Sequence, residues 1–177
     1  MKTWFERTDL ALRVLTFLAV LAGGGWAIYQ WKLSGSTDWT SNIALDTKVL
    51  PYRDDLRLLV VHVKSKNPRG GKFELDGKLG DSFELRFRRF PDGEKANTVI
   101  DEEGGSLIAK ADLMQQTGGQ YLFLPGAEMD DMRTIVLPAG AVVAISAEMR
   151  VHNGTKDEHG KPDVDFITAS TIVQVSP

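Results

Sequence analysis

Val14 to Trp31 reads VLTFLAVLAGGGWAIYQW, eighteen residues without a formal charge. As an α-helix this stretch extends roughly 27 Å at about 1.5 Å per residue. That is close to the hydrocarbon thickness of a bilayer, about 30 Å. A helix in a soluble core shows a polar face at helical spacing, yet from Val14 to Ile28 only Thr16 is markedly polar. The pattern therefore predicts a single transmembrane helix over 14–31. Trp26, Tyr29 and Trp31 cluster at one end, where amphipathic rings favour the headgroup layer. Trp4 and Phe5 suit the other end, and Arg13 can snorkel from the inner edge. Ala19, Gly23 and Ala27 are spaced by four, and Gly24 and Gly25 widen the stripe they form. Small residues at that spacing let a second membrane helix approach closely, from another copy or from a partner membrane protein.

After the anchor the period changes from helical to two. Asn42 to Leu50 alternates, with Ile43, Leu45, Thr47 and Val49 on one side, and Pro51 is expected to stop it. Leu56 to Ser65 is apolar on both faces around Leu58 to Val61, as in a central strand. Asn67-Pro68-Arg69-Gly70-Gly71 is a turn, and Lys72 to Leu75 a short strand. From Ser82 to Phe90, Phe83, Leu85 and Phe87 alternate with Glu84, Arg86 and Arg88, the pattern of a strand with one wet face. Asn97 to Ile100 suits a strand. Leu107, Ala111 and Met114 have helical spacing, which predicts a short helix over Ser106 to Gln116. Further strands are expected at Tyr121 to Leu124, Met132 to Leu137, Ala141 to His152 and Asp163 to Val175. Glu128, Asp130 and Asp131 read as an acidic loop, and Asn153 to Pro162 as a polar hairpin loop.

Seven or more short strands divided by Gly/Pro turns predict a mainly β fold. The expected architecture is an antiparallel β-sandwich, immunoglobulin-like in layout, preceded by the single transmembrane helix, with a partly open barrel as the alternative for the β domain. The Cys–Trp–Cys signature of true immunoglobulin domains is absent. The expected organisation is a cytoplasmic N-terminal segment 1–13, the anchor 14–31, a tether 32–41 (polar apart from Leu33 and Trp39) and a β domain 42–177, which is the length of one domain.

Charge adds an orientation. Lys2, Arg7 and Arg13 precede the anchor, while only Lys32 follows it closely. The bias places the N-terminus in the cytoplasm and the β domain outside, in the periplasm of a bacterial inner membrane. A signal peptide cleaved after Val20-Leu21-Ala22 is the competing interpretation. The apolar run continues past that point into the aromatic cluster, which favours an uncleaved signal-anchor. The chain has no cysteine, so disulfides, thiolate zinc sites, lipidation at cysteine and a cysteine nucleophile are all excluded. With a net charge of −3 it is a poor candidate for nucleic-acid binding.

Candidate chemistry is sparse. His152 and His159 with Asp157, Asp163 or Asp165 are metal-capable, but their spacing matches no zinc or EF-hand pattern. Asn153-Gly154-Thr155 is formally a glycosylation sequon, and Asn-Gly is equally a preferred hairpin turn. His62 lies within a central strand and reads as a packing residue. Asp101-Glu102-Glu103 and Glu128 to Asp131 read as solvated loops. Arg86, Arg88 and Arg89 with Lys64, Lys66, Arg69 and Lys72 form the most basic region; the interspersed Glu74, Asp76, Asp81 and Glu84 favour an ordinary mixed surface, with a lipid or cell-wall contact as the alternative. No G-x-S-x-G elbow, P-loop, dinucleotide fingerprint or H-E-x-x-H occurs. No catalytic, cofactor-binding or metal residue is assigned. The expectation is a membrane-anchored β-sandwich that binds or scaffolds another envelope protein. The alternative is a membrane-tethered hydrolase with its site in loops 101–131 or 152–165.

Overall fold

The computed structural model describes residues 15–29, 41–93, 97–156 and 159–176. The N-terminal segment 1–13, the ends of the 14–31 span, the tether residues 32–40 with Trp39, and Asp157 and Glu158 of the last hairpin lie outside the described residues. The chain divides into two compact units, Met1–Trp39 and Thr40–Pro177.

In the first unit, residues 15–29 form helix α1, exposed at every position. Leu15, Phe17, Val20, Trp26 and Ile28 are each 62–66% exposed. A Cβ added at Gly23, Gly24 or Gly25 meets nothing within 4 Å. Among the described residues no helix is long and apolar enough to cross a membrane.

The second unit is mainly β, built of antiparallel sheets. Its strands are β1 (Asn42–Arg53), β2 (Leu56–Lys66), β3 (Phe73–Asp76), β4 (Ser82–Arg89), β5 (Ser106–Asp112), β6 (Gln120–Phe123), β7 (Glu128–Pro138), β8 (Val142–Lys156) and β9 (Pro162–Gln174). They form a three-stranded sheet in the order β1-β2-β7, a two-stranded sheet β3-β6 and a four-stranded sheet β5-β4-β8-β9. The period of two is visible in burial. Leu59, Val61 and Val63 of β2, Phe83, Leu85 and Phe87 of β4, and Val143, Ile145, Ala147 and Met149 of β8 are all buried. Tyr121 of β6 ties the three sheets together. Its ring meets Phe83 edge-on at 5.7 Å and Phe123 at 4.7 Å, while its hydroxyl donates to Asp131 on β7.

Several local expectations are corrected. Pro51 does not stop β1, which runs to Arg53 with a register shift between those two residues. A missing N–H is tolerated on an edge strand or at a bulge, and β1 is an edge. Ser106 to Gln116 is not a helix. The open edge of β4 takes Ser106–Asp112 as β5, with Glu84 opposite Asp112, and only Gln115–Thr117 forms a short 3-10 turn. Helical spacing of three apolar residues is a weak preference beside a full ladder of cross-strand hydrogen bonds. Asn97 to Ile100 is irregular, with Asn97 at φ 70°. Glu128, Asp130 and Asp131 are not a loop but the opening of β7. Lys66 and Lys64 stand opposite Glu128 and Asp130 in the register, and opposite charges across a strand pair stabilise it. The last hairpin is tighter than expected, since β8 continues to Lys156, which pairs with Pro162.

Candidate functional site

The outward positions of β4 carry Glu84, Arg86 and Arg88, and the sheet sets partners beside them. Glu84 stands opposite Asp112 of β5 and Glu148 of β8. Three carboxylates in one row would repel. The next row resolves this with Lys110 of β5 opposite Arg86 of β4. Arg86 bridges the row, with Nη2 2.7 Å from Glu84 Oε2 and 3.1 Å from Glu148 Oε1, and Lys110 meets the other oxygen of Glu84. Burial works to raise the Glu84 pKa, but the hydrogen bonds from Lys110 and Arg86 outweigh it and hold the carboxyl below its usual range. Arg86 is shifted upward, foremost by its bond to Glu84 and against a smaller desolvation cost. Such a carboxylate is a poor general acid or base near neutral pH.

Beside this network lies an open cleft of about 280 Å³, lined by Asp81, Ser82, Glu84, Lys110, Asp112 and Met114 together with Gly77 and Gly119. Two hydrogen bonds join its lining residues. Gly77 N–H donates to Gly119 O at 2.8 Å, and Met114 N–H to Asp112 Oδ1 at 2.8 Å.

Asp81 is the most buried of these acids, at 8% exposure. Its Oδ2 accepts from the Asp76 N–H at 2.9 Å. Its Oδ1 accepts from the His152 N–H at 2.8 Å and stands 3.0 Å from His152 Nδ1. A carboxylate only accepts, so this ring nitrogen carries the proton. A histidine held this way by an acid has the orientation of a general base. Among the described residues, however, no hydroxyl is hydrogen-bonded to its other nitrogen, so the pair acts as a clasp between the β3–β4 corner and β8. The glycine at Gly80 makes the close approach possible, because a Cβ there would lie 2.8 Å from His152 Cε1.

The structure therefore turns His152 toward Asp81 and away from the metal-capable hairpin. Among the described residues no group of three or more histidine and acidic side chains is placed to hold a metal. The expected basic region is split. Lys64 and Lys66 lie on β2 of one sheet, Arg86, Arg88 and Arg89 on β4 of another. Most of these cations are occupied. Lys64 pairs with Asp46 at 3.3 Å, Lys66 with Glu128 at 3.6 Å and Arg89 with Asp92 at 3.0 Å, and Arg88 donates to Gly105 O at 3.1 Å. His62 stands 3.0 Å from Asp130 on the outer face of its sheet. Asp101 caps its own turn through the Glu103 N–H at 3.1 Å. Sequence reasoning identified the wet face of β4 but missed the Glu84–Arg86–Glu148–Lys110 network and the Asp81–His152 clasp. Glu84 and Arg86, two residues apart on the wet face, were the available signal for the first; the second has none, since its partners come from distant parts of the chain.

On the three-stranded sheet the outward positions change character along the strands. Near the start of β1 they are charged. Near its end they are apolar, with Leu50, Leu58 and Val136 opposite one another in a row across β1, β2 and β7. Val136 is 45% exposed and nearby Met132 56%.

No protein-family model matches the chain. No curated protein matches it. Among solved structures it is similar to the crystal structure of a Bordetella pertussis protein described as ApaA, at 14% identity over 76% of this chain and 93% of that one, with a TM-score of 0.47. A likeness at that score carries no argument about fold or function.

Proposed function

We propose that the chain is a single-pass protein of the bacterial inner membrane, with its N-terminus in the cytoplasm. Its β domain, an antiparallel β-sandwich of immunoglobulin-like layout, stands in the periplasm and serves as a binding or accessory subunit for another envelope protein. Helix α1 is the observation that carries this reading. Its apolar side chains are uncovered on every face, and apolar area left in water forgoes about 25 cal/mol per Å². Acyl chains supply the missing cover. The basic residues ahead of the helix support the orientation, and the open space at Gly23 to Gly25 suits contact with a partner helix.

The sandwich layout is supported by two multi-stranded sheets, each burying one face, and by edge strands β1 and β9 running close to each other. Binding is favoured over proton-transfer chemistry because Glu84, Arg86, Glu148 and Lys110 beside the cleft are committed to one another. Alkaline carbonate extraction of native membranes tests the anchor. The intact chain stays in the pellet, and a chain whose residues 14–31 are replaced by a Gly/Ser stretch does not reach it. Release of the intact chain by carbonate would contradict the reading.

A further inference from the structure

The outer face of the three-stranded sheet is an apolar surface with a charged frame. Its rows follow from the register. Leu50, Leu58 and Val136 form one row, and Lys48, Val60 and Thr134 the next toward the start of β1. Beyond that lie Asp46, His62 and Met132. On the other side of the leucine row lie Arg53, Leu56 and Pro138, and then the turn Asp54–Asp55. Among the described residues Arg53, Asp54 and Asp55 take part in no ion pair; Arg53 packs over the Tyr52 ring at 5.6 Å. Asp46 pairs with Lys64 but keeps 66% of its side chain exposed.

We propose that this face binds a second copy of the same chain, sheet against sheet, about a two-fold axis lying across the strands between the Leu58 and Val60 rows. A two-fold across the strands keeps β1 over β1 and reverses the direction along each strand. The register then dictates what meets. Leu58 lies against Val60 of the other copy, Val136 against Thr134, and Pro138 against Met132. Arg53 comes over Asp46, and the Asp54–Asp55 turn comes toward the row of Lys64. Each of these contacts occurs twice. The unpaired Arg53 and the Asp54–Asp55 turn at one end of the face thus meet the exposed Asp46–Lys64 pair at the other end, Asp46 and Lys64 keeping 66% and 42% of their side chains exposed, and a copy of the same surface supplies these charges in the matching order. Face-to-face packing about 10 Å apart is how sheets ordinarily cover apolar surface. The proposal does not rest on the membrane anchor.

The test uses the full chain in mild detergent, with Gly23→Ile in every sample so that the small-residue stripe contributes nothing. Sedimentation equilibrium reads the dimer. Asp46→Arg and Arg53→Asp should each weaken it roughly tenfold, and the double charge reversal should restore it. The chain has no cysteine, so a mixture of Val136→Cys and Thr134→Cys chains, both changed at exposed positions, reports the geometry directly. Facing Cα atoms on sheets about 10 Å apart are too far for a direct disulfide, so a short bis-maleimide linker should join the two variants into a mixed dimer. Monomer at every concentration, a double reversal no tighter than the single ones, or no mixed cross-linked dimer would each overturn the proposal. A different protein on this face would produce the first of these.

Discussion

Glu84 shows how far single residues could be anticipated. Its place on a wet strand face follows from the alternation with Phe83 and Leu85, but the identity of its partners does not, because Lys110 and Glu148 arrive from β5 and β8. Strand pairing is a long-range property that the local pattern does not carry. The network has a measurable consequence. The folded carboxyl keeps its charge to lower pH than in the unfolded chain, so its contribution is present above the ordinary glutamate pKa of about 4.3 and is lost as the pH falls through the depressed value. Glu84→Gln should lower stability by about 1–2 kcal/mol at pH 7. Urea melts repeated at about pH 3 should show that gap closing. An equal gap at both pH values would mean that the charge contributes nothing.

Elements were legible where the local composition or period is unmistakable. β4 follows from its alternation, β2 from an apolar run on both faces and β9 from its β-branched residues, each within a residue or two of its ends. The failures share a cause. β5 was hidden by helical spacing, the opening of β7 by its acidity, and the last residues of β1 by a proline. Each is decided by a neighbouring strand that local sequence does not name. The corner between β3 and β4 is another such case. Gly80 sits at φ 90°, beside the His152 ring, so Gly80→Ala adds left-handed strain and a steric clash together. We expect a loss of about 2–4 kcal/mol by thermal or chemical melts. Gly77→Ala meets only Gly119 O at 3.2 Å and has no positive φ, so it should cost clearly less. A Gly80 variant as stable as the parent would remove the Asp81–His152 clasp from the account.

At the scale of the whole molecule, the mainly β class and the antiparallel pairing were readable from the chain after residue 41. The grouping into three sheets was not, because sheet order depends on which distant strands pair. The candidate site was less legible still. The sequence offered a metal-capable hairpin and a basic face only as minor readings beside a solvated loop and a mixed surface. The structure instead has a cleft lined by Asp81, Glu84, Asp112 and Lys110, a histidine clasp and an apolar sheet face. On the proposed account that arrangement serves recognition, with helix α1 and the β domain as two separate means of contact. The most direct test is co-purification from native membranes in a mild detergent, comparing the intact chain with one whose residues 14–31 are exchanged for an unrelated anchor. A specific membrane protein recovered with the intact chain and lost, or reduced to the part held by the β domain, after the exchange is the predicted result. Recovery of no specific membrane protein with either chain would contradict the accessory-subunit account.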